Sequence, residues 1–166
     1  MMFTALSSAY IVRAASANDW QPLQMPRVLW LSTGLILVSS ITLEFARRRL
    51  KRRQQSAHKQ LLGLTVLLGL GFLISQLFAW RQLARQGIYI ATNPHSSFFY
   101  LLTATHGLHL LGGLGGLLYL TLRSRLRTAS DEALVKGQAQ TDAVTLYWHF
   151  MDVLWIYLFF LLFVWR

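Results

Sequence analysis

Residues 61–80, LLGLTVLLGLGFLISQLFAW, form a run of twenty positions without a charged side chain. A helix rises about 1.5 Å per residue, so about 20 residues cross the apolar core of a bilayer, which is about 30 Å thick. Three further segments have the same character, namely residues 28–46, 96–122 and 143–165. Backbone groups must be satisfied inside lipid, and these runs are long and do not alternate. We therefore predict four transmembrane helices and not the strands of a barrel.

The composition excludes a water-soluble globule. Of the 166 residues, 54% are hydrophobic and 13% are charged, and the mean hydropathy is +0.41. An average soluble domain carries about 25% charged residues. The sequence has no cysteine, which excludes disulfides, thiolate zinc sites, iron–sulfur clusters and cysteine-ligated copper. We predict an all-α integral membrane protein in which residues 1–166 form one membrane-embedded helical domain.

The N-terminal residues are too few to cross a bilayer. Residues 1–13, MMFTALSSAYIVR, form an apolar run that ends at Arg13, and no basic region precedes it as in a signal peptide. We predict a short helix here, which is either a half-helix packed on the bundle or the end of a longer, truncated helix. The polar residues 14–26 are predicted to form a loop.

Basic residues are concentrated in two of the segments that join the spans. The chain has 16 Lys and Arg against 6 Asp and Glu, a formal charge of +10. Residues 47–59 hold seven of the basic side chains and residues 123–142 hold four, against five elsewhere. The positive-inside rule then puts these two loops in the cytoplasm and the C-terminus outside. Because the arginines form no face interleaved with aromatic residues, we predict no nucleic-acid partner.

Two histidines lie inside the third span. Ionisable groups are costly in a membrane, so each is a functional candidate. His106 and His109 are three residues apart in THGLHLLGG, on one helical face, and we expect them to hydrogen-bond Ser, Thr or carbonyl groups of a neighbouring helix. A haem or metal would require them, or His106 with His149, to converge on one ion. Two histidines one turn apart on a single helix cannot sandwich a haem, so we predict no metal site in this chain.

A histidine and an aspartate form a second pair at the same spacing in YWHFMDVLW. Donation from the His149 imidazole to the Asp152 carboxylate would offset much of the cost of burying the charge. Two roles are open for the pair, a proton relay and an interhelical clamp, and we favour the clamp. Glu44 lies one turn before Arg47 and Arg48, so we expect it to pair with them at the interface in a structural role.

Other residues of the last two spans suggest packing and lipid contact. Gly112 and Gly116 have the spacing that allows another helix to approach closely. Arg123 follows the third span at the cytoplasmic interface, where it would bind a lipid phosphate or serve only the positive-inside bias. Trp148 is expected at the same interface, in contact with lipid. Since the chain lacks a nucleotide loop, a nucleophile–base pair and a paired metal cage, we predict a subunit of a larger assembly, without an active site of its own.

Two stretches resemble a known family. SSFFYLLTATHGLHLLGG (residues 96–113) and YWHFMDVLWIYLFFLLF (residues 147–163) are similar to subunit III of the haem–copper oxidases, of the cytochrome c oxidase type. The combination and spacing of the two motifs are specific. The order of spans and basic loops agrees, and the resemblance covers about residues 7–166 in the manner of a short bacterial form.

The resemblance implies a non-redox subunit of a bacterial plasma membrane. Such a subunit has no haem or copper of its own, packs on subunit I in a complex with subunit II, supports proton uptake and stability during oxygen reduction, and binds phospholipid. The family's membrane carboxylate has no counterpart in residues 1–13, and Glu44 lies on the next helix and does not replace it. Two alternatives stay open. One is subunit III of a quinol oxidase; the other is a haem-binding membrane anchor of a dehydrogenase that uses His106, His109 and His149.

Overall fold

Five α-helices make up the chain in the computed structural model, which describes residues 2–16, 27–89, 94–126 and 131–164. They are α1 (Met2–Ser16), α2 (Val28–Lys51), α3 (Gln55–Arg85), α4 (Pro94–Leu126) and α5 (Asp131–Val164). No strand occurs in these ranges. The four long helices are each long and apolar enough to cross a membrane. The predicted fold, an all-α membrane bundle of four full spans with a short N-terminal helix, is confirmed.

Each long helix contains one predicted apolar span and continues beyond it. α2 runs on through the basic residues, and α3 begins soon after, so the loop predicted at 47–59 is reduced to a turn at residues 52–54. Arg53 closes this turn with a φ of 57°, in the left-handed region. The predicted loop at 123–142 is likewise mostly helical, and its residues 127–130 lie outside the described ranges. Helices extend here because Lys, Arg, Gln and Ala are good helix formers in water as well as at the interface.

Two further predictions fall partly outside the described residues. Of the loop predicted at 14–26, the first three residues belong to α1, and residues 17–26 are not described. The last span, predicted at 143–165, ends at Val164 in the described part of the chain. α1 itself extends slightly past the predicted half-helix, to Ser16.

The four long helices form a ring in the order α2, α3, α4, α5, in which α5 packs on both α4 and α2. α1 packs on α4. The aromatic side chain of Phe3 packs on His109, and that of Tyr10 packs on His95. α1 is therefore antiparallel to α4 and covers the half of α4 that leads from Pro94. We call the opposite end of the bundle, which carries the turn between α2 and α3, the basic end.

Two tryptophans of α5 fill the centre of the ring. Trp148 and Trp155 are fully buried, and Phe72 of α3 packs edge-to-face on Trp155 with ring centroids 4.9 Å apart. Trp148 fits only because glycines face it, since a Cβ atom on Gly69 would lie 2.9 Å from its Cη2 atom and one on Gly113 would lie 3.2 Å from its Cε3 atom. Large side chains on one helix thus enter spaces left by glycines on two others.

The outer surface of the bundle is apolar. Every long helix carries large hydrophobic side chains that are more than half exposed, for example Leu31, Leu67, Leu108 and Leu146. Contiguous apolar surface of this extent is unfavourable in water and favourable in lipid or against another membrane subunit. The chain is a membrane protein.

Candidate functional site

The polar residues singled out in the sequence lie mainly between α5 and its neighbours. His149 of α5 shares a hydrogen bond with Ser40 of α2, Nδ1 to Oγ, at 2.5 Å. The two residues are 109 positions apart in the chain, so this contact joins helices that are distant in sequence. A hydrogen bond between membrane helices contributes on average about 0.6 kcal/mol.

Asp152 has a different environment from the one predicted. It is 3% exposed, and neither carboxylate oxygen has a hydrogen-bond partner. The predicted donation from His149 is absent, because residues three apart on a helix point about 60° apart and the imidazole turns to Ser40. Ser40 also lies near the Asp152 carboxyl, but neither carboxyl oxygen meets it in hydrogen-bond geometry. The predicted hydrogen bond from His149 to Asp152 is therefore wrong.

His106 is buried without a hydrogen-bond partner on either ring nitrogen. Its ring packs against two aromatic side chains, Trp155 at 5.1 Å and Phe72 at 6.0 Å between centroids. The expected hydrogen bond to a neighbouring helix is not formed, since the facing side chains offer ring faces and edges in place of acceptors. His106 fills space in the core, and its two nitrogens remain unsatisfied.

His109 faces α1 and not the centre of the bundle. Its Nδ1 donates to the carbonyl of Thr105 on its own helix at 2.8 Å, and its ring meets Phe3 edge-on at 5.4 Å. The expected partner on another helix is again absent. The three histidines proposed for a haem thus turn to three different neighbours. Among the described residues no group of three or more His, Cys, Asp or Glu side chains could hold a metal ion.

Tryptophan Nε1 atoms of α5 bind hydroxyl groups of α2. Trp148 donates to Ser39 Oγ at 2.9 Å, and Trp155 donates to Thr33 Oγ1 at 3.1 Å. Trp148 is 0% exposed, whereas lipid contact was expected. It turns inward because Ser39 accepts a hydrogen bond from its Nε1 and because the two glycines described above leave space for its ring.

An ionic cluster joins α2 and α5 at the basic end. Glu44 accepts from Arg47 at 2.8 Å and 2.9 Å and from Arg48 at 2.8 Å, as the sequence predicted. Arg47 also donates to Asp142 at 3.3 Å, and Lys51 lies 3.8 Å from the same carboxylate oxygen. The cluster neutralises the carboxylate of Glu44 within a basic segment and adds a second connection between the two helices.

The glycines of α4 accept side chains of α5. A Cβ on Gly116 would lie 3.3 Å from Val144, and one on Gly112 would lie 3.7 Å from the Tyr147 hydroxyl. Gly113, which the spacing argument did not select, has closer neighbours than Gly112. The small-residue face is used for packing, but by bulky side chains and not by a second backbone.

Arg123 and His95 are the remaining polar positions of α4. Arg123 donates to the Tyr119 hydroxyl at 2.8 Å and reaches the surface. His95 was missed in the sequence: it is fully buried and shares a hydrogen bond with the Tyr10 hydroxyl of α1 at 3.2 Å. These two residues are 85 positions apart, and no local spacing connects them. The only signal was a histidine directly after Pro94 at a predicted span end.

Comparison with known proteins identifies the assembly to which such a bundle belongs. The family model described as cytochrome c oxidase subunit III matches residues 8–166. Cytochrome c oxidase subunit 3 of Bacillus sp. (strain PS3) is 31% identical over 163 residues, which cover 96% of this chain and 76% of that protein. The probable cytochrome c oxidase subunit 3 of Nocardia farcinica is 30% identical over 96% of this chain and 78% of its own length. The Synechocystis subunit 3 is 29% identical over 98% and 69%, respectively.

Proposed function

The chain belongs to the cytochrome c oxidase subunit III family, and from this premise we propose that it is the non-redox subunit of a bacterial terminal oxidase of the cytochrome c type. Membership implies a complex with other oxidase subunits. We infer that the chain packs on subunit I, in a complex that includes subunit II, in the plasma membrane. The observation that carries the proposal is the match over residues 8–166, which includes both histidine motifs.

The proposal requires that the subunit add no redox centre. Its histidines support this, because His106 packs between aromatic rings, His109 donates to its own helix and His149 bonds α2. Because these three histidines face different neighbours, they do not converge on one ion, which argues against the haem-binding anchor of a dehydrogenase. Names of the relatives favour cytochrome c over quinol as electron donor.

Copurification tests the proposal. A tagged subunit should bring down subunits I and II, and the haem and copper content per complex should be the same with and without it. The purified subunit alone should show no cytochrome band in a reduced-minus-oxidised spectrum. Isolation with a dehydrogenase, or more haem or copper in the complex that contains the subunit, would overturn the proposal.

We propose separate roles for His149 and Asp152. His149 acts as an interhelical clamp, which its bond to Ser40 supports. Asp152 has no partner that a clamp needs, and a buried ionisable group without one is a functional candidate in a membrane. Asp152 is therefore the residue through which the subunit supports proton uptake by the oxidase.

Two substitutions at Asp152 separate this role from a clamp. Asp152→Asn and Asp152→Leu should both assemble with subunit I, because neither strands a hydrogen-bond partner, and both should slow proton uptake by the assembled oxidase. The matched control is Thr145→Val on the same helix, which removes a buried hydroxyl oxygen that also has no partner and should leave uptake unchanged. Loss of subunit I from Asp152→Leu, with normal uptake in Asp152→Asn, would restore the clamp for this residue.

Phospholipid binding completes the proposed function. Arg123 lies at the basic end of α4 and is partly exposed, where a guanidinium can hold a lipid phosphate while it donates to Tyr119. The apolar outer surface supports contact with acyl chains. Trp148 is not proposed for lipid, because it is buried. The predicted topology, with the basic end in the cytoplasm, is part of the proposal.

A further inference from the structure

A groove lies between α3 and α4 at the basic end of the bundle. Its volume is about 570 Å³, and it opens on the outer surface of the bundle. The lining residues are predominantly apolar and come from the first turns of α3 and from the end of α4; they include Lys59, Gly63, Leu67, Leu118 and Leu122. α1 does not reach it, because its ring contacts on α4 lie between His95 and His109.

The groove has the dimensions of one acyl chain in one leaflet. Along α3 it extends from Lys59 to Leu67, and at about 1.5 Å per residue this is about 12 Å. One leaflet of the apolar core is about 15 Å deep. Its depth comes partly from Gly63, where a Cβ atom would meet nothing within 4 Å. The groove is therefore open at the position where a larger residue would fill it.

A cation without a protein partner stands at the mouth of the groove. Lys59 forms no hydrogen bond or ion pair with any described residue, unlike Arg47 and Lys51, which meet Asp142 in the ionic cluster. A lysine stem lies readily along apolar surface while its ammonium reaches the headgroup level. An anionic headgroup supplies the negative charge that the protein does not.

We propose that this groove binds one anionic phospholipid, with an acyl chain between α3 and α4 and its phosphate at Lys59. The inference deepens the lipid binding proposed above and rests on that proposal, and it names Lys59, Gly63 and the leaflet of the basic end. Arg123, the residue after Leu122 on α4, adds a second positive charge at this end of the bundle. The chemistry recognised is a phosphate diester with a net negative headgroup on an acyl chain.

The test uses the oxidase complex in nanodiscs that contain phosphatidylcholine and phosphatidylglycerol with identical acyl chains in equal amounts. Native mass spectrometry counts the lipids retained after washing. Gly63→Leu should lose one retained phosphatidylglycerol, because leucine fills the groove. Lys59→Gln should still retain a lipid, but its preference for phosphatidylglycerol should fall about fivefold, as expected for one basic residue at an anionic surface.

Two control variants carry the same chemical changes away from the groove. Gly34→Leu adds a side chain where a Cβ also meets nothing within 4 Å, and Arg52→Gln removes a positive charge from the neighbouring turn. Both should retain lipid as the unchanged protein does. Unchanged lipid counts and preference in Gly63→Leu and Lys59→Gln would overturn the inference. Release of another protein subunit by Gly63→Leu, with lipid counts unchanged, would also overturn it, because the groove would then be a protein interface.

The same samples separate this inference from the proposed function. Subunits I and II in the spectra report assembly, which the groove variants should leave intact. If the chain does not copurify with them, the proposed function fails, and the lipid count is then measured on the full chain alone in the same nanodiscs.

Discussion

Trp148 contacts three other helices, with its Nε1 on Ser39 of α2 and its ring beside Gly69 of α3 and Gly113 of α4. Interiors are close-packed, so a side chain in this position tolerates little added volume. The packing around this one side chain therefore determines which substitutions the bundle accepts at the positions that face it. Glycines that face Trp148 differ in this respect from glycines that face lipid.

Gly69→Ala should destabilise the bundle. The new methyl group would lie 2.9 Å from Trp148 Cη2, and overpacking of a core typically costs about 1–3 kcal/mol. The measurement is the thermal unfolding midpoint of the purified protein in detergent. Gly63→Ala is the matched control on the same helix, since its methyl group meets nothing within 4 Å and alanine has the higher helix propensity. Equal midpoints for the two variants would contradict the packing described here.

At the scale of the helices, α2 is joined to α5 by polar contacts along its length. Trp155 meets Thr33, Trp148 meets Ser39, and His149 meets Ser40, and the ionic cluster follows at the basic end. α2 and α3 are joined by three more hydrogen bonds. Two involve hydroxyl groups, between Ser32 and Gln76 and between Thr42 and Thr65, and one joins His58 to the Ala46 carbonyl. Hydroxyl groups at helix interfaces thus account for much of the directional contact between helices.

A double-mutant cycle should detect the link between Ser40 and His149. Ser40→Ala and His149→Ala should each lower the free energy of unfolding, and the double variant should lose less than the sum, with a coupling of about 0.6–1.7 kcal/mol. Denaturant unfolding in mixed micelles provides the measurement. Ser75→Ala is the comparison partner for His149→Ala, because Ser75 bonds Phe72 of its own helix, and that pair should be additive. Additivity in both cycles would remove His149 from the clamp role.

Tyr10→Phe should loosen α1. α1 packs on α4, and the Tyr10 hydroxyl makes a buried hydrogen bond with His95. Loss of about 0.6 kcal/mol raises the population of the open form about threefold, so amide hydrogen exchange in α1 should accelerate while exchange in α2 stays the same. Tyr157→Phe, at a half-exposed position of α5, is the control. Unchanged exchange in α1 would show that the ring contacts of Tyr10 suffice.

At the scale of the whole molecule, the predicted orientation can be tested because the sequence has no cysteine. Single cysteines at Gln55 and Gln86 lie at opposite ends of α3. An impermeant thiol reagent added to intact cells should label Gln86→Cys and not Gln55→Cys, and both should react after permeabilisation. The basis is the excess of basic residues at the basic end. Labelling of Gln55→Cys in intact cells would reverse the topology.

Much of the fold could be predicted from the sequence, because uncharged runs of about 20 residues have few other uses than spanning a membrane. Pairing of Glu44 with Arg47 and Arg48 was predictable for a similar reason, since it depends on spacing within one helix. Contacts of His106, His149 and Asp152 were not, because they depend on how α4 and α5 are rotated against the helices that they pack on. The spacing of residues in the sequence shows which side chains share a face of one helix, but it does not show which neighbouring helix that face contacts.

The extent of the loops could not be predicted from hydropathy either. Hydropathy marks where the apolar core of the membrane ends, whereas a helix ends where its backbone loses favourable conformations or meets a turn such as that at Arg53. These are different physical limits. The basic residues predicted in loops therefore lie largely on helices, where Arg47 and Lys51 can meet Asp142.

The ring closes between its first and its last long helix, which has a consequence for biosynthesis. While the ribosome is still making α5, the short turn at residues 52–54 already lets α2 and α3 pair as they leave the translocon. Trp148 is then absent, and the space beside Ser39 and Gly69 is open to lipid. We expect newly made chains to become resistant to protease only after α5 has been released, which pulse-labelling can follow. Quality control of this subunit would accordingly act on chains whose final helix is delayed.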